Sequence, residues 1–191
     1  MCIRDSTIIG ENASGKTNLF RAIRLILDDN LLSYAYKLNE NDFNRNLINW
    51  KGRWIIISLE FSEISNEEAI QALFADDKVK KATYNLFFRP KPEIRKQLSE
   101  LKEGDHDGLN SILDKITIND YETFFTGKST VDFNDKNVQR ELMGDFENVI
   151  FNYEIDESRF GGRIPHQLSI SKEVSFTFIK ALRDVVSDFQ D

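Results

Sequence analysis

With a single cysteine, Cys2, in 191 residues, the chain cannot be stapled by a disulfide of its own, and such usage suits a reducing cytosol. Prolines number only three against fifteen phenylalanines, which excludes a disordered chain. No apolar run is long enough to span a membrane, and the first residues lack the layout of a signal peptide. Positive charge is also short: 25 Lys and Arg against 32 Asp and Glu leave a net charge of −7. The chain as a whole therefore does not attract nucleic acid, and any DNA contact must be local. There is no internal repeat or low-complexity linker, and the length is that of one domain or part of one.

What is present starts early. Gly10-Glu11-Asn12-Ala13-Ser14-Gly15-Lys16-Thr17 fits G-x-x-x-x-G-K-[ST], a phosphate-cradling loop. At average residue frequencies, about one unrelated chain of this length in a hundred would match it. Gly10 and Gly15 permit backbone angles that let successive N–H groups converge on a phosphate. Lys16 would reach the β- and γ-phosphates of ATP, and Thr17 would give a hydroxyl to Mg2+, which takes few protein oxygens. A helix should follow, its positive end aimed at the same phosphates, with Leu19, Ala22, Ile23, Ile26 and Leu27 at helical spacing. The strand before the loop is short, only Thr7, Ile8 and Ile9. The expected ligand-holding set is Gly10, Glu11, Asn12, Ala13, Ser14, Gly15, Lys16, Thr17 and Asn18. Gly127-Lys128-Ser129 imitates the end of the motif, but Glu122 stands where its first glycine should be, so it reads as a turn.

Further along, Asn-rich residues 28–52 read as an irregular connection with short helical pieces. "RWIIISLEFSEI" splits Trp54, Ile56, Ser58 and Glu60 from Ile55, Ile57, Leu59 and Phe61, the pattern of a strand. A short helix is expected from Asn66 through Phe74, a second strand over "ATYNLFFRP", and a helix from Pro92 to Gly104. "DGLNSILDKI", "INDYETFF" and "NVQRELMGDFENVIF" all read as helical, "RFGGRIPHQLSIS" as a loop or hairpin, and Val174 to Ile179 as a strand running into a helix.

A nucleotide hydrolase also needs an apolar strand ending in an acidic residue to hold Mg2+ and orient water. "IIISLE" ends in Glu60 and "NVIFNYEID" offers Glu154 and Asp156, but neither carries the pattern, and no catalytic residue is assigned.

The stretch "IIGENASGKTNLFRAIRLIL" resembles the head ATPases of the SMC and RecF class, in which Asn at the third loop position and Thr-Asn after the lysine are usual: here Asn12, Thr17 and Asn18. Within that class the chain is similar to the ATPase domain of OLD-family ATP-dependent nucleases, with further likeness in Asp42-Phe43, "IIISLEF" and "FIKALRD" (Phe178 to Asp184). The resemblance implies an α/β P-loop NTPase fold, the ABC-type head, in which two heads of a homodimer sandwich ATP and Mg2+. It implies a Toprim nuclease domain beyond, and DNA as the parent protein's partner in repair or phage defence. The sequence has no Ser-Gly-Gly signature, acidic Mg2+ strand, switch histidine or Toprim domain. The expectation is therefore the N-terminal portion of a head, truncated at both ends. Residues 1–6, "MCIRDS", read as a non-native scar, and residues 7–191 as a partial ATP-binding domain that binds ATP without turning it over alone.

Other groups carry two readings each. Gln167 could lie near Mg2+ or simply be solvated, and Arg183 and Asp184 could couple to a partner head or make a local contact. "KVKKATYNLFFRPKPEIRK" could face a phosphate backbone, or could turn Tyr84, Phe87 and Phe88 to the core and its charges to water. Glu103, Asp105, His106 and Asp107 could hold a metal or line an ordinary acidic loop. His166 is alone, and no nucleophile pair is present. A stand-alone P-loop kinase is the alternative function, with Arg159 and Arg163 as lid arginines. A nucleotide-dependent scaffold or an inert fragment, left with an unpaired sheet edge, is the third.

Overall fold

The computed structural model describes residues 15–28, 38–61, 74–76, 81–155 and 157–164. Its first helix, α1 (Lys16–Leu27), is followed by strands β1 (Ile55–Phe61), β2 (Phe74–Asp76) and β3 (Lys81–Pro90). Helices α2 (Pro92–Ser99) and α3 (His106–Lys115) precede β4 (Tyr121–Gly127), α4 (Lys136–Met143) and β5 (Gly162–Ile164). The five strands form one sheet in the order β1-β3-β4-β5, all pairs antiparallel, and β2 joins the beginning of β3. None of the described helices is long and apolar enough to cross a membrane.

Strand β3 lies at the centre because it is apolar on both sides, as a strand covered on each face must be. Ala82, Tyr84, Leu86 and Phe88 enter one hydrophobic cluster, together with Ile55, Ile57, Leu59 and Phe61 of β1 and Leu25, Ile26 and Leu27 of α1. On the opposite face Phe87 joins Trp54, Phe124, Leu142 and Phe160, with Ile56 packed against them. The division of residues 54–61 read from their alternation is thus the division between two cores.

Polar rungs on that second face fix the register. Ser58, Asn85 and Thr126 are cross-strand partners. Ser58 Oγ donates to Asn85 Oδ1 at 2.6 Å, Asn85 Nδ2 to Thr126 Oγ1 at 3.2 Å, and Thr126 Oγ1 to the Phe160 carbonyl at 2.5 Å. A one-residue slip would break the chain of bonds and bury Asn85, which has no exposure, without a partner. Nearby, Arg89 donates from Nε to Glu122 at 2.8 Å and from Nη2 to Glu157 at 2.6 Å, its guanidinium 4.4 Å from the Phe124 ring centre. Burial alone would raise the pKa of Glu157, but the bond from Arg89 and the charges of Arg89, Arg163 and Arg95 hold it below the ordinary value.

Several local expectations are corrected. "INDYETFF" is a single turn of 3-10 helix, Ile118–Asp120, followed by strand β4. Phe124 and Phe125 sit in different cores, so their clustering serves a two-sided strand instead of a helical face. The helix over "NVQRELM" stops at Gly144, whose φ of 83° reverses the chain, and Asp145 then bridges to Ile150. Phe74 opens β2 and does not close a helix; residues 62–73 of that expected helix lie outside the described ones. The helix begun at Pro92 ends at Ser99, not Gly104. "RFGGRI" supplies β5, hydrogen-bonded to β4.

Candidate functional site

Helix α1 begins immediately after Gly15, which has φ 87° and ψ 0°, in the left-handed region. A β-carbon built there meets nothing within 4 Å, so the need for glycine is conformational and not a matter of space. The Gly15 carbonyl accepts from the Leu19 amide at 3.0 Å, closing the first turn. Among the described residues no side chain caps this end, and the first turn holds no acidic residue. An N-terminus of this kind keeps its positive dipole end uncompensated by its own carboxylates and favours an anion. Lys16 is half-buried at the first helical position, and the hydroxyl of Thr17 and amide of Asn18 follow on exposed residues. Four of the nine expected ligand-holding residues, Gly15, Lys16, Thr17 and Asn18, are therefore together at one helix start. Gly10, Glu11, Asn12, Ala13 and Ser14 lie outside the described residues.

The helix is anchored through Asp42-Phe43. Arg21 Nη2 pairs with Asp42 Oδ1 at 2.9 Å, and the other Asp42 oxygen accepts from the Asn39 amide at 2.9 Å. Phe43 packs at 5.3 Å from Trp50 and 5.8 Å from Tyr121, ring centre to ring centre. Beside this joint a cavity of about 800 Å³, within the range that small ligands occupy, is lined by Asn18, Arg21, Leu25, Asn41, Arg45 and Ile57, among others. The loop motif alone did not single out Arg21 and Arg45. The available signal for Arg21 was its place four residues after Thr17, one turn further along the same helix face. The apolar residues of α1 bury unevenly: Leu25, Ile26 and Leu27 are in the core, whereas Leu19 is 46% and Phe20 45% exposed.

The remaining candidates separate. Tyr84, Phe87 and Phe88 are core residues, while Lys91 and Lys96 are exposed, so this stretch offers no aromatic surface to a nucleic acid. Arg89 fits neither reading, being buried and ion-paired. Asp105 caps α3 by accepting from the Gly108 amide at 2.9 Å, which spends an oxygen that a metal would need. Among the described residues no group of three or more His, Cys, Asp or Glu could hold a metal ion, which removes the cluster of Glu103, Asp105, His106 and Asp107. Glu60 is an exposed residue inside β1 and does not end it, and residues around Glu154 form no strand. Arg159 pairs with Glu141, and Arg163 lies 3.5 Å from Glu157. Gly127 is the last residue of strand β4, and no helix starts after it: the Ser129 amide donates to Thr83 Oγ1 at 2.7 Å. Asp156, His166, Gln167, Arg183 and Asp184 lie outside the described residues.

A family model described as an AAA domain, candidate AbiEii toxin, Type IV TA system, matches residues 6–168. No curated protein and no solved structure matches the chain.

Proposed function

Because the chain belongs to this AAA-domain family, within the P-loop NTPases, and so carries a domain built for nucleotides, we propose that it binds ATP with Mg2+ at residues 10–18. The observation that carries the reading is Gly15, left-handed and leading directly into Lys16 and Thr17 at the start of α1. The amides of residues 10–15 would hold the β-phosphate, the ammonium of Lys16 would draw the γ-phosphate, and the helix end would favour both. The exposed hydroxyl of Thr17 suits one position on Mg2+, an ion that keeps most of its waters; bound there, it neutralises phosphate charge.

The finer reading is that of an ABC-type head, the ATP-binding portion of an OLD-type, DNA-acting nuclease or of a repair or phage-defence ATPase. In it, two heads close over ATP as a homodimer. Supporting it are Asn12, Thr17-Asn18 and the Asp42-Phe43 pair, whose two side chains join α1 to the sheet. No observation favours the kinase, whose two lid arginines both have carboxylate neighbours.

Titration with a fluorescent ATP analogue in Mg2+ tests the site. Lys16→Ala is expected to weaken binding at least tenfold. Equal affinity in the two proteins would overturn the reading.

A further inference from the structure

The cavity beside the Arg21–Asp42 pair meets α1 through Asn18, Arg21, Ala22 and Leu25. These residues stand at i, i+3, i+4 and i+7, so a single face of the helix lines the cavity, starting from its first turn. Of the described residues at the helix start, Asn18 borders the cavity and Lys16 and Thr17 do not. With the terminal phosphates and Mg2+ held at Lys16 and Thr17, as proposed above, Asn18 marks the side on which the nucleoside end of the ligand emerges. The volume there, about 800 Å³, has room for it.

The lining has two kinds of chemistry. Phe43 and, from β1, Ile55 and Ile57 supply an apolar wall, whereas the exposed Asn41, Arg45 and Asn46 supply carboxamides and a guanidinium. A flat heterocycle suits both: the wall covers a ring face, and carboxamides, which donate and accept, pair with the ring edge. A lipid tail would leave the amides unpaired, and an inorganic phosphate would leave the wall unused. The polar side is fixed by its own backbone. Asn44 Oδ1 accepts from the Asn46 amide at 2.9 Å and the Asn44 carbonyl from the Leu47 amide at 2.9 Å, which sets Arg45 and Asn46 at the centre of a tight turn. Asn39 Oδ1 holds the Asn41 amide in the same way, at 2.9 Å. These bonds use backbone donors, and among the described residues the side chains of Asn41, Arg45 and Asn46 have no partner. Arg21 and Asp42 offset each other's charge at 2.9 Å, so Arg45 leaves the lining net positive, as a ligand carrying an α-phosphate requires.

We propose that this cavity receives the nucleoside of the bound nucleotide, where the carboxamides of Asn41 and Asn46 select adenine and Arg45 stacks on the base or meets the α-phosphate. The inference rests on the phosphate reading of residues 10–18 and adds a separable contribution to binding. Calorimetric titration of the full chain in Mg2+ with ATP, UTP and inorganic tripolyphosphate tests it. ATP is expected to bind about tenfold tighter than either of the others. Asn41→Ala/Asn46→Ala, an uncharged change at exposed positions, should remove most of that margin and leave tripolyphosphate affinity unchanged. Arg45→Ala should weaken ATP more than tripolyphosphate, whereas Lys16→Ala should weaken all three ligands alike. Equal affinity of the parent chain for the three ligands, or a margin that survives Asn41→Ala/Asn46→Ala, would overturn the nucleoside site and leave the phosphate site standing. Failure of all three to bind would overturn both.

Discussion

Gly15 and Gly161 share a backbone conformation, with φ values of 87° and 90°, but not an environment, and alanine at each separates two costs of losing a glycine. At Gly15 an added β-carbon meets nothing within 4 Å, so only the left-handed backbone is penalised. That costs about 1–2 kcal/mol for a non-glycine residue. At about 2–4 °C per kcal/mol for a chain of this size, Gly15→Ala should lower the melting temperature by about 2–8 °C. At Gly161 the same atom would lie 1.8 Å from the Gly127 carbonyl oxygen and 2.8 Å from the Lys128 carbonyl carbon, both backbone atoms that cannot rotate away. The joint at which β4 meets β5, the Gly127↔Gly162 pair, would have to open. Gly161→Ala should therefore cost about 4 kcal/mol or more, the range of severe lesions. Urea unfolding followed by tryptophan fluorescence measures both, and nucleotide adds a second readout: Gly15→Ala should fold yet lose most of the stabilisation that Mg2+ and ATP give the parent chain. Equal destabilisation by the two substitutions would refute the reasoning, as would a Gly15→Ala protein stabilised by ATP like the parent.

The double substitution Glu122→Ala/Glu157→Ala strands Arg89 without its carboxylates. It should cost about 3–5 kcal/mol in urea unfolding, and a loss below about 1 kcal/mol would show that Arg89 is not buried as described. Stability should also depend on the protonation of Glu157, whose pKa lies below the ordinary 4.5 in the folded chain. A carboxyl with a lowered folded pKa contributes fully above its unfolded value and loses that contribution as pH falls through the folded one. Melting curves of Glu157→Gln and the parent should therefore differ above pH 4.5 and converge below it; a constant gap down to pH 2 would contradict this.

The elements legible in the sequence are those whose causes are local. Helix α1 follows from apolar spacing after the loop glycine, β1 from strict alternation, and β3 from an apolar run closed by Pro90. Strand β4 was misread because Tyr121, Phe124 and Phe125 satisfy helical steps as well as strand ones, and only pairing with β3 from Tyr84 to Pro90 chooses between them. Arg89 was misread for a related reason: in sequence it is one cation among several, and its burial depends on Glu122 and Glu157, 33 and 68 residues away.

By itself, the sequence determined that helix α1 starts just after Gly15, because a glycine followed by apolar residues at helical spacing is a property of a few turns of chain. It likewise determined which side of β1 belongs to which core, since side-chain alternation is a property of the strand alone. Tertiary structure decided that β3 lies between β1 and β4, that Asp42-Phe43 secures α1 to the sheet, and that three arginines converge on two glutamates. Those arrangements depend on contacts between distant segments, where pairing and burial outweigh local preference.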